Sequence, residues 1–275
     1  MKTTAITILS VLTIIALVMT GCNSTKHSNI VRVIKIAPEN TFNIMYFDLD
    51  TMKKDPDCEQ QYYDARDSLE NEIEGIHFPD ITGYGLINVE QGNLSLYVGK
   101  YDIKDIRNNL KERGGIEDKY QGIEIWASDT SGTTRAVAFI DNMVIFGDKN
   151  TVETSIRAHK NDEPSLYDNS DVKTILDKLP DGIFHLIINT ITIQHIARYG
   201  SAIGSISICN LIEGDEVLDI KGLFKFKSEV DAETYLERTN DIAEAFLFGT
   251  PLDVEVELKG QFIEITGTTD IEDLF

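Results

Sequence analysis

The sequence predicts an α+β fold made of two related halves of mainly antiparallel sheet, with helices packed on one face. Three observations predict it. Short apolar runs alternate with turn signals, hairpins outnumber crossovers, and the order strand, turn, strand, helix, strand, turn, strand occurs twice. Composition agrees: 42% hydrophobic and 26% charged residues are ordinary globular values. Six prolines and nineteen glycines are too few for a collagen-like or largely disordered chain.

In the first half, residues 42–48 read as a strand. Asp55-Pro56 then opens a helix whose apolar positions Cys58, Tyr62, Ala65, Leu69 and Ile73 recur every three or four residues, with Gly75 closing it. Strands over 85–90 and 94–99 flank Gln91-Gly92-Asn93, a hairpin signal. Asp102 is placed to cap a helix over 103–113, and Gly114 follows its end. A strand is expected over 120–127. Two more, over 135–140 and 143–146, flank Asp141-Asn142, and helices over 151–158 and 172–179 stop at Pro180.

The second half repeats the order in weaker form. It has strands over 183–189, 203–211 and 217–226, a short helix over 193–199 and a longer one over 232–246. A strictly alternating strand over 252–258 then turns at Lys259-Gly260 into 262–267. Setting 83–99 beside 204–222 puts Glu90-Gln91-Gly92-Asn93 near Glu213-Gly214-Asp215-Glu216, which makes duplication a hypothesis.

The N-terminus reads as an address. Met1-Lys2 precedes an apolar run from Ala5 to Met19, broken only by Thr7, Ser10 and Thr13. That pattern is a signal peptide and falls short of a spanning helix. No later stretch approaches the apolar length of a span. Val18-Met19-Thr20-Gly21-Cys22 resembles the lipobox of prokaryotic lipoproteins, with Met19 where that motif more often has Leu. The resemblance implies cleavage after Gly21 and lipidation of Cys22. Each buried CH₂ contributes about 0.8 kcal/mol, so two acyl chains anchor stably where one binds only marginally. Residues 23–29 carry no apolar side chain and read as a tether of roughly 15 Å. The expected division is a leader over 1–21, Cys22 with a polar tether over 22–40, one half over 41–180 and another over 181–275.

The chain has 25 Lys and Arg against 46 Asp and Glu, a net charge of −21. Loss of the leader removes only Lys2. Such a charge repels phosphate backbones and anionic headgroups, so no nucleic-acid partner is expected, and lipid rather than charge must hold the protein to a membrane.

Gly99-Lys100-Tyr101-Asp102, then Ile106-Arg107 and Leu110, then Tyr120-Gln121-Gly122-Ile123-Glu124-Ile125-Trp126 and 144–148 carry a further likeness, joined by Phe224-Lys225-Phe226-Lys227-Ser228. On these residues the chain resembles an uncharacterised group of archaeal and bacterial surface lipoproteins. The resemblance implies fold and location and brings no activity.

The search for chemistry nominates no catalytic, metal-binding or cofactor-binding residue. The histidines at 27, 77, 159, 185 and 195 form no HxH, HxxxH or HExxH pair. His185 lies in an apolar strand and reads as a core residue. Gly200-Ser201-Ala202-Ile203-Gly204 lacks the serine of a nucleophile elbow, and Gly83-Tyr84-Gly85 lacks the third glycine of a dinucleotide loop. Asp48, Asp50, Asp55 and Asp57 cluster near one turn, yet they lack the spacing of a calcium loop and sit beside Lys53-Lys54. Solvated surface is the expectation, a divalent-cation site the alternative. Cys58 and Cys209 are expected as separate core thiols rather than a bridge. Tyr62, Tyr63, Tyr120, Trp126 and Tyr167 read as core and rim packing, with a ligand surface as the alternative.

The expected function is therefore a non-enzymatic binding or accessory module of the cell envelope. It would be lipid-anchored on the extracytoplasmic face, with an envelope protein or a small ligand as partner. Two alternatives stand beside it: a carrier for an apolar molecule such as a lipid, and a hydrolase whose site is assembled from distant residues.

Overall fold

The computed structural model describes residues 28–54, 58–69, 80–130, 132–189, 202–209, 217–236 and 253–270. Its strands are β1 (Thr41–Phe47), β2 (Ile81–Val89), β3 (Gly92–Gly99), β4 (Ile116–Tyr120), β5 (Ile123–Thr130), β6 (Thr133–Ile140), β7 (Met143–Asp148), β8 (Phe184–Asn189), β9 (Ala202–Cys209), β10 (Val217–Phe226), β11 (Asp253–Lys259) and β12 (Phe262–Asp270). They form one 12-stranded sheet in the order β11-β12-β10-β9-β8-β1-β2-β3-β7-β6-β5-β4. Every pairing is antiparallel. The turns expected at Gln91-Gly92, Asp141-Asn142 and Lys259-Gly260 each join adjacent strands.

The sheet is continuous across the expected boundary at 180/181. β1 pairs with β8 from Asn43↔Ile188 to Phe47↔Phe184, so the two sides share a ladder where separate sheets were expected. Outward from that contact, one side runs β1-β2-β3-β7-β6 and the other β8-β9-β10-β12-β11, with β5-β4 added on the first side.

The helices are α1 (Ser28–Ile36), α2 (Leu49–Met52), α3 (Glu59–Leu69), α4 (Ile103–Glu112), α5 (Lys149–His159) and α6 (Ser170–Lys178). Residues 229–236 are also helical, at the start of the helix expected over 232–246. The remainder of that helix, and the one expected over 193–199, lie outside the described residues.

Helices cover both faces of the sheet, which corrects the one-face expectation. One core cluster joins Leu49, Met52, Cys58, Tyr62, Ile106 and Tyr235 to Tyr97, Val144 and Phe224 of the strands. The other joins Ile30, Val33, Val152, Ile156 and Ile175 to Leu94, Leu96, Ile145 and Ile187. Alternate residues of one strand, such as Val144 and Ile145, go to opposite clusters because successive side chains point to opposite faces. β8 is buried at all six positions. Among the described residues, no helix is long and apolar enough to cross a membrane.

Two local expectations also change. The polar tether expected over 22–40 gives way at Ser28 to α1, whose Ile30, Val33 and Ile34, with Ala37 just past its end, sit at the i, i+3, i+4, i+7 spacing and are fully buried. Burial of that stripe outweighs the low helix propensity of its β-branched residues. The single strand expected over 120–127 is two strands, because Gln121 (φ 49°) and Gly122 (φ 80°) form a tight turn between β4 and β5.

Asp102 caps α4 as expected, accepting from the Lys104 N–H at 2.9 Å. Arg107 then ties α4 to β5 by donating from Nε to Glu124 at 2.7 Å, and the Trp126 indole N–H donates to the same carboxylate at 2.7 Å.

Candidate binding surface

The apolar stripe of α1 leaves its polar residues to meet the neighbouring elements. Arg32 hydrogen-bonds the Asn142 side chain in the β6–β7 turn, pinning the helix to the sheet rim. Beneath the start of α1 lies a buried polar group. Tyr46 and His185, partners across the β1–β8 ladder, have ring centroids 6.4 Å apart at 28°. The Tyr46 phenol is pushed well above its ordinary pKa, first by burial and then by the Asp48 carboxylate. Asp48 is raised too, again by burial first, while its bonds to Thr51 and Asn29 oppose the shift. Its carboxylate accepts the Thr51 N–H at 3.0 Å and so caps α2.

This group is poorly suited to acid–base work. A phenol above its ordinary pKa stays neutral near pH 7, and the Asp48 carboxylate is engaged as a cap. A raised carboxyl holds its proton more tightly folded than unfolded, so stability falls as pH rises through the unfolded and then the folded pKa. Asp48→Asn keeps a capping oxygen and removes the buried charge. It is expected to raise the urea midpoint at pH 7 and to leave it unchanged near pH 3. A lower midpoint at pH 7 would contradict this assignment.

Two hollows flank the α1–α5 pair, and neither is lined by Tyr46, Asp48 or His185. The larger, about 520 Å³, is walled by Glu39, Glu153, Arg157 and Glu163 among others. Arg157 is fully engaged there, donating to Glu163 at 2.7 Å, the Tyr120 hydroxyl at 2.8 Å and Thr154 at 2.8 Å. It works as a tie between α5, β4 and the following loop.

The second hollow, about 440 Å³, differs in charge. Arg32 and Lys35 of α1, His159 at the end of α5 and Lys173 of α6 line it together with Asp141 and Asp168. Tyr167 stands among them. The Lys35 ammonium lies 5.0 Å from its ring centroid and that of Lys173 4.6 Å. Asp168 is turned into local structure: it accepts from the Ser165 N–H at 2.8 Å and the Ser165 hydroxyl at 2.9 Å. Those bonds hold its carboxyl below the usual range.

The structure disperses most of the residues singled out in the sequence. Asp48 caps α2, Asp50 pairs with Lys54 at 2.6 Å, and Asp55 and Asp57 lie outside the described residues. Among the described residues no three His, Cys, Asp or Glu side chains are grouped to hold a metal. Cys58 is a thiol buried in the first core cluster; the Cys209 side chain and Cys22 lie outside the described residues. Tyr62 and Trp126 are core residues, Tyr63 is exposed, and Tyr120 binds Arg157. Tyr167 lines the second hollow. Arg32, Lys35 and Lys173 form no sequence motif, because Lys173 lies far along the chain from the other two. The signal that was present is the i, i+3 placement of Arg32 and Lys35 opposite an apolar stripe.

No family model matches the chain, and no curated protein matches it. Among solved structures it is similar to crystal forms of TP0453. Form I gives a TM-score of 0.49 at 12% identity, covering 88% of this chain and 94% of that one. Form III gives 0.47 at 11% identity, covering 88% and 95%. Form IV gives 0.46 at 11% identity, covering 88% and 94%.

Proposed function

We propose that this protein is a lipid-anchored extracytoplasmic lipoprotein, attached through Cys22, that serves the cell envelope as a non-enzymatic binding or accessory module. The observation that carries the reading is the short distance between anchor and body. Ser28, the first residue of α1, follows Cys22 by six positions. Six residues span at most about 20 Å. The α1 face, with the hollow around Tyr167, is thereby kept close to the membrane carrying the anchor. The non-enzymatic reading is supported by the burial of the perturbed groups Tyr46 and Asp48, neither of which lines a hollow described above, and by the use of Asp48 as a helix cap. The mirrored strand order about the β1–β8 contact supports an origin of the two sides by duplication.

An apolar carrier is the weaker reading. The two hollows beside α1 and α5 are walled by charged side chains. The apolar gap between Val172, Ile175, Leu176, Ile187 and Ile203 has no room for a water-sized probe.

Cys22→Ala tests the anchor. The wild-type chain is expected in the membrane fraction and released only by detergent. The variant is expected either to remain an unprocessed precursor or to appear in the soluble fraction. A variant that is processed and membrane-bound like the wild type would refute the reading.

A further inference from the structure

We propose that the hollow around Tyr167 is a binding site for a phosphate-bearing anion, held by Arg32, Lys35 and Lys173. The proposal rests on the binding-module reading and names the ligand chemistry of its surface.

With 46 acidic against 25 basic residues, carboxylates are in excess everywhere. Several cations elsewhere use them: Lys54 with Asp50, Arg107 with Glu124, Arg157 with Glu163, Lys225 with Asp171, and Lys259 with Glu257 and Glu264. Lys53 and Lys178 each lie over a ring instead, and at this hollow two ammonium groups share one ring. Among the described residues neither Lys35 nor Lys173 is in an ion pair; both ammonium groups instead lie over the ring of Tyr167.

Their distances to one centroid, 5.0 and 4.6 Å, place the two ammonium groups within about 10 Å of each other. A ring face attracts an ammonium by about 0.5–1 kcal/mol at exposed sites, leaving its N–H donors for a stronger acceptor. Arg32 adds a guanidinium from the preceding turn of α1, and its bond to Asn142 fixes where that group stands. The two carboxylates of the wall, Asp141 and Asp168, offset part of this charge, and Asp168 also feels Lys173; three cations against two carboxylates still leave the wall net positive. Against a net charge of −21, three converging cations form the local exception that an anion needs to approach.

Size favours a phosphate ester over a bare halide. About 440 Å³ is within the range of small-molecule sites and holds a phosphate with part of the group it esterifies. Two sources supply that chemistry: a soluble phosphate ester, or the headgroup of a phospholipid in the anchoring leaflet. The position of Arg32 and Lys35 on the first helix after the anchor makes the second accessible.

The test uses the full chain in nonionic detergent micelles, followed by titration calorimetry. The probes are inorganic phosphate, sn-glycerol 3-phosphate, and micelles doped with phosphatidylglycerol or, as a zwitterionic reference, phosphatidylcholine. The wild type is compared with Lys35→Gln/Lys173→Gln and with Lys104→Gln on α4, across the sheet. We expect saturable one-site binding that the double variant weakens by about tenfold or more, since two charge-assisted contacts are removed. Lys104→Gln should bind as the wild type does. Binding of the soluble probes identifies a phosphate ester as ligand. Binding confined to phosphatidylglycerol micelles identifies a headgroup. Absence of saturable binding to every probe, equal binding to both doped micelles with none to the soluble probes, or a double variant as tight as the wild type would overturn the proposal. Such a failure leaves the membrane fractionation of Cys22→Ala unchanged, so it is separable from failure of the anchor reading.

Discussion

Phe224→Ala is expected to destabilise the protein by about 3–5 kcal/mol, among the largest effects of any single truncation here. Phe224 lies on β10, is 3% exposed, and faces Gly204 across the β9–β10 ladder. Its ring occupies the place a side chain at 204 would take: a Cβ built there would lie 2.2 Å from Cδ1 of Phe224. Gly204 therefore has no atoms with which to refill the space left by truncation, and the strand between fixed neighbours cannot close it. Gly204→Ala alone should also destabilise, by forcing the ring aside. In combination the two changes should cost less than their sum, because the alanine then enters the space the ring left. Urea unfolding of the four proteins measures the cycle. A loss below about 1 kcal/mol for Phe224→Ala, or strict additivity, would contradict the packing described.

Gly99→Ala is expected to cost about 3 kcal/mol, at the upper end of overpacking effects, for a different reason. A Cβ at 99 would lie 2.1 Å from the carbonyl oxygen of Asp80 and 3.0 Å from Cα of Ile81. The obstacle is backbone, which has no rotamer to yield. That backbone is also held, since Asp80 O accepts the Lys100 N–H at 2.9 Å and Gly99 N–H donates to Asn142 O at 3.0 Å. Relief of the clash must open the end of the β2–β3 ladder and disturb the turn that carries the Arg32 partner. Faster amide exchange at Gly99 and Lys100, with a lowered urea midpoint, is the expected result. Unchanged exchange at both would contradict it. At Gly122 (φ 80°) a Cβ meets nothing within 4 Å, so the cost of Gly122→Ala is only that of the left-handed backbone, about 1 kcal/mol.

Much of the sheet was legible because hairpins are written locally. Gln91-Gly92, Asp141-Asn142 and Lys259-Gly260 each stand between apolar runs, and each joins neighbours in the ladder. Asp102 signalled the start of α4 for the same reason. The failures have a common physical cause: the deciding contacts are distant in sequence. α1 is helical because Ile30, Val33 and Ile34 are buried against the sheet and α5, which its β-branched residues do not announce. β4, Ile-Glu-Asp-Lys-Tyr, is exposed at four of five positions and carries the charges typical of a sheet edge, so it has no apolar period to find.

Coverage of both faces was readable in principle. Phe184 to Ile188 and Met143 to Phe146 are continuous apolar or aromatic runs interrupted only by His185, and such runs mark strands covered on both sides. The cationic hollow was not readable. It draws Arg32 and Lys35 from α1, His159 from α5, Tyr167 from a short turn and Lys173 from α6, and no window of sequence contains them together.

The reading of this chain as an anchored envelope module depends first on the chemistry at one residue. The most direct measurement is mass spectrometry of the N-terminal peptide of protein extracted from membranes with detergent. The account predicts a peptide that begins at Cys22 and carries acyl chains on it. A peptide that begins elsewhere, or a Cys22 without acyl mass, would contradict the account.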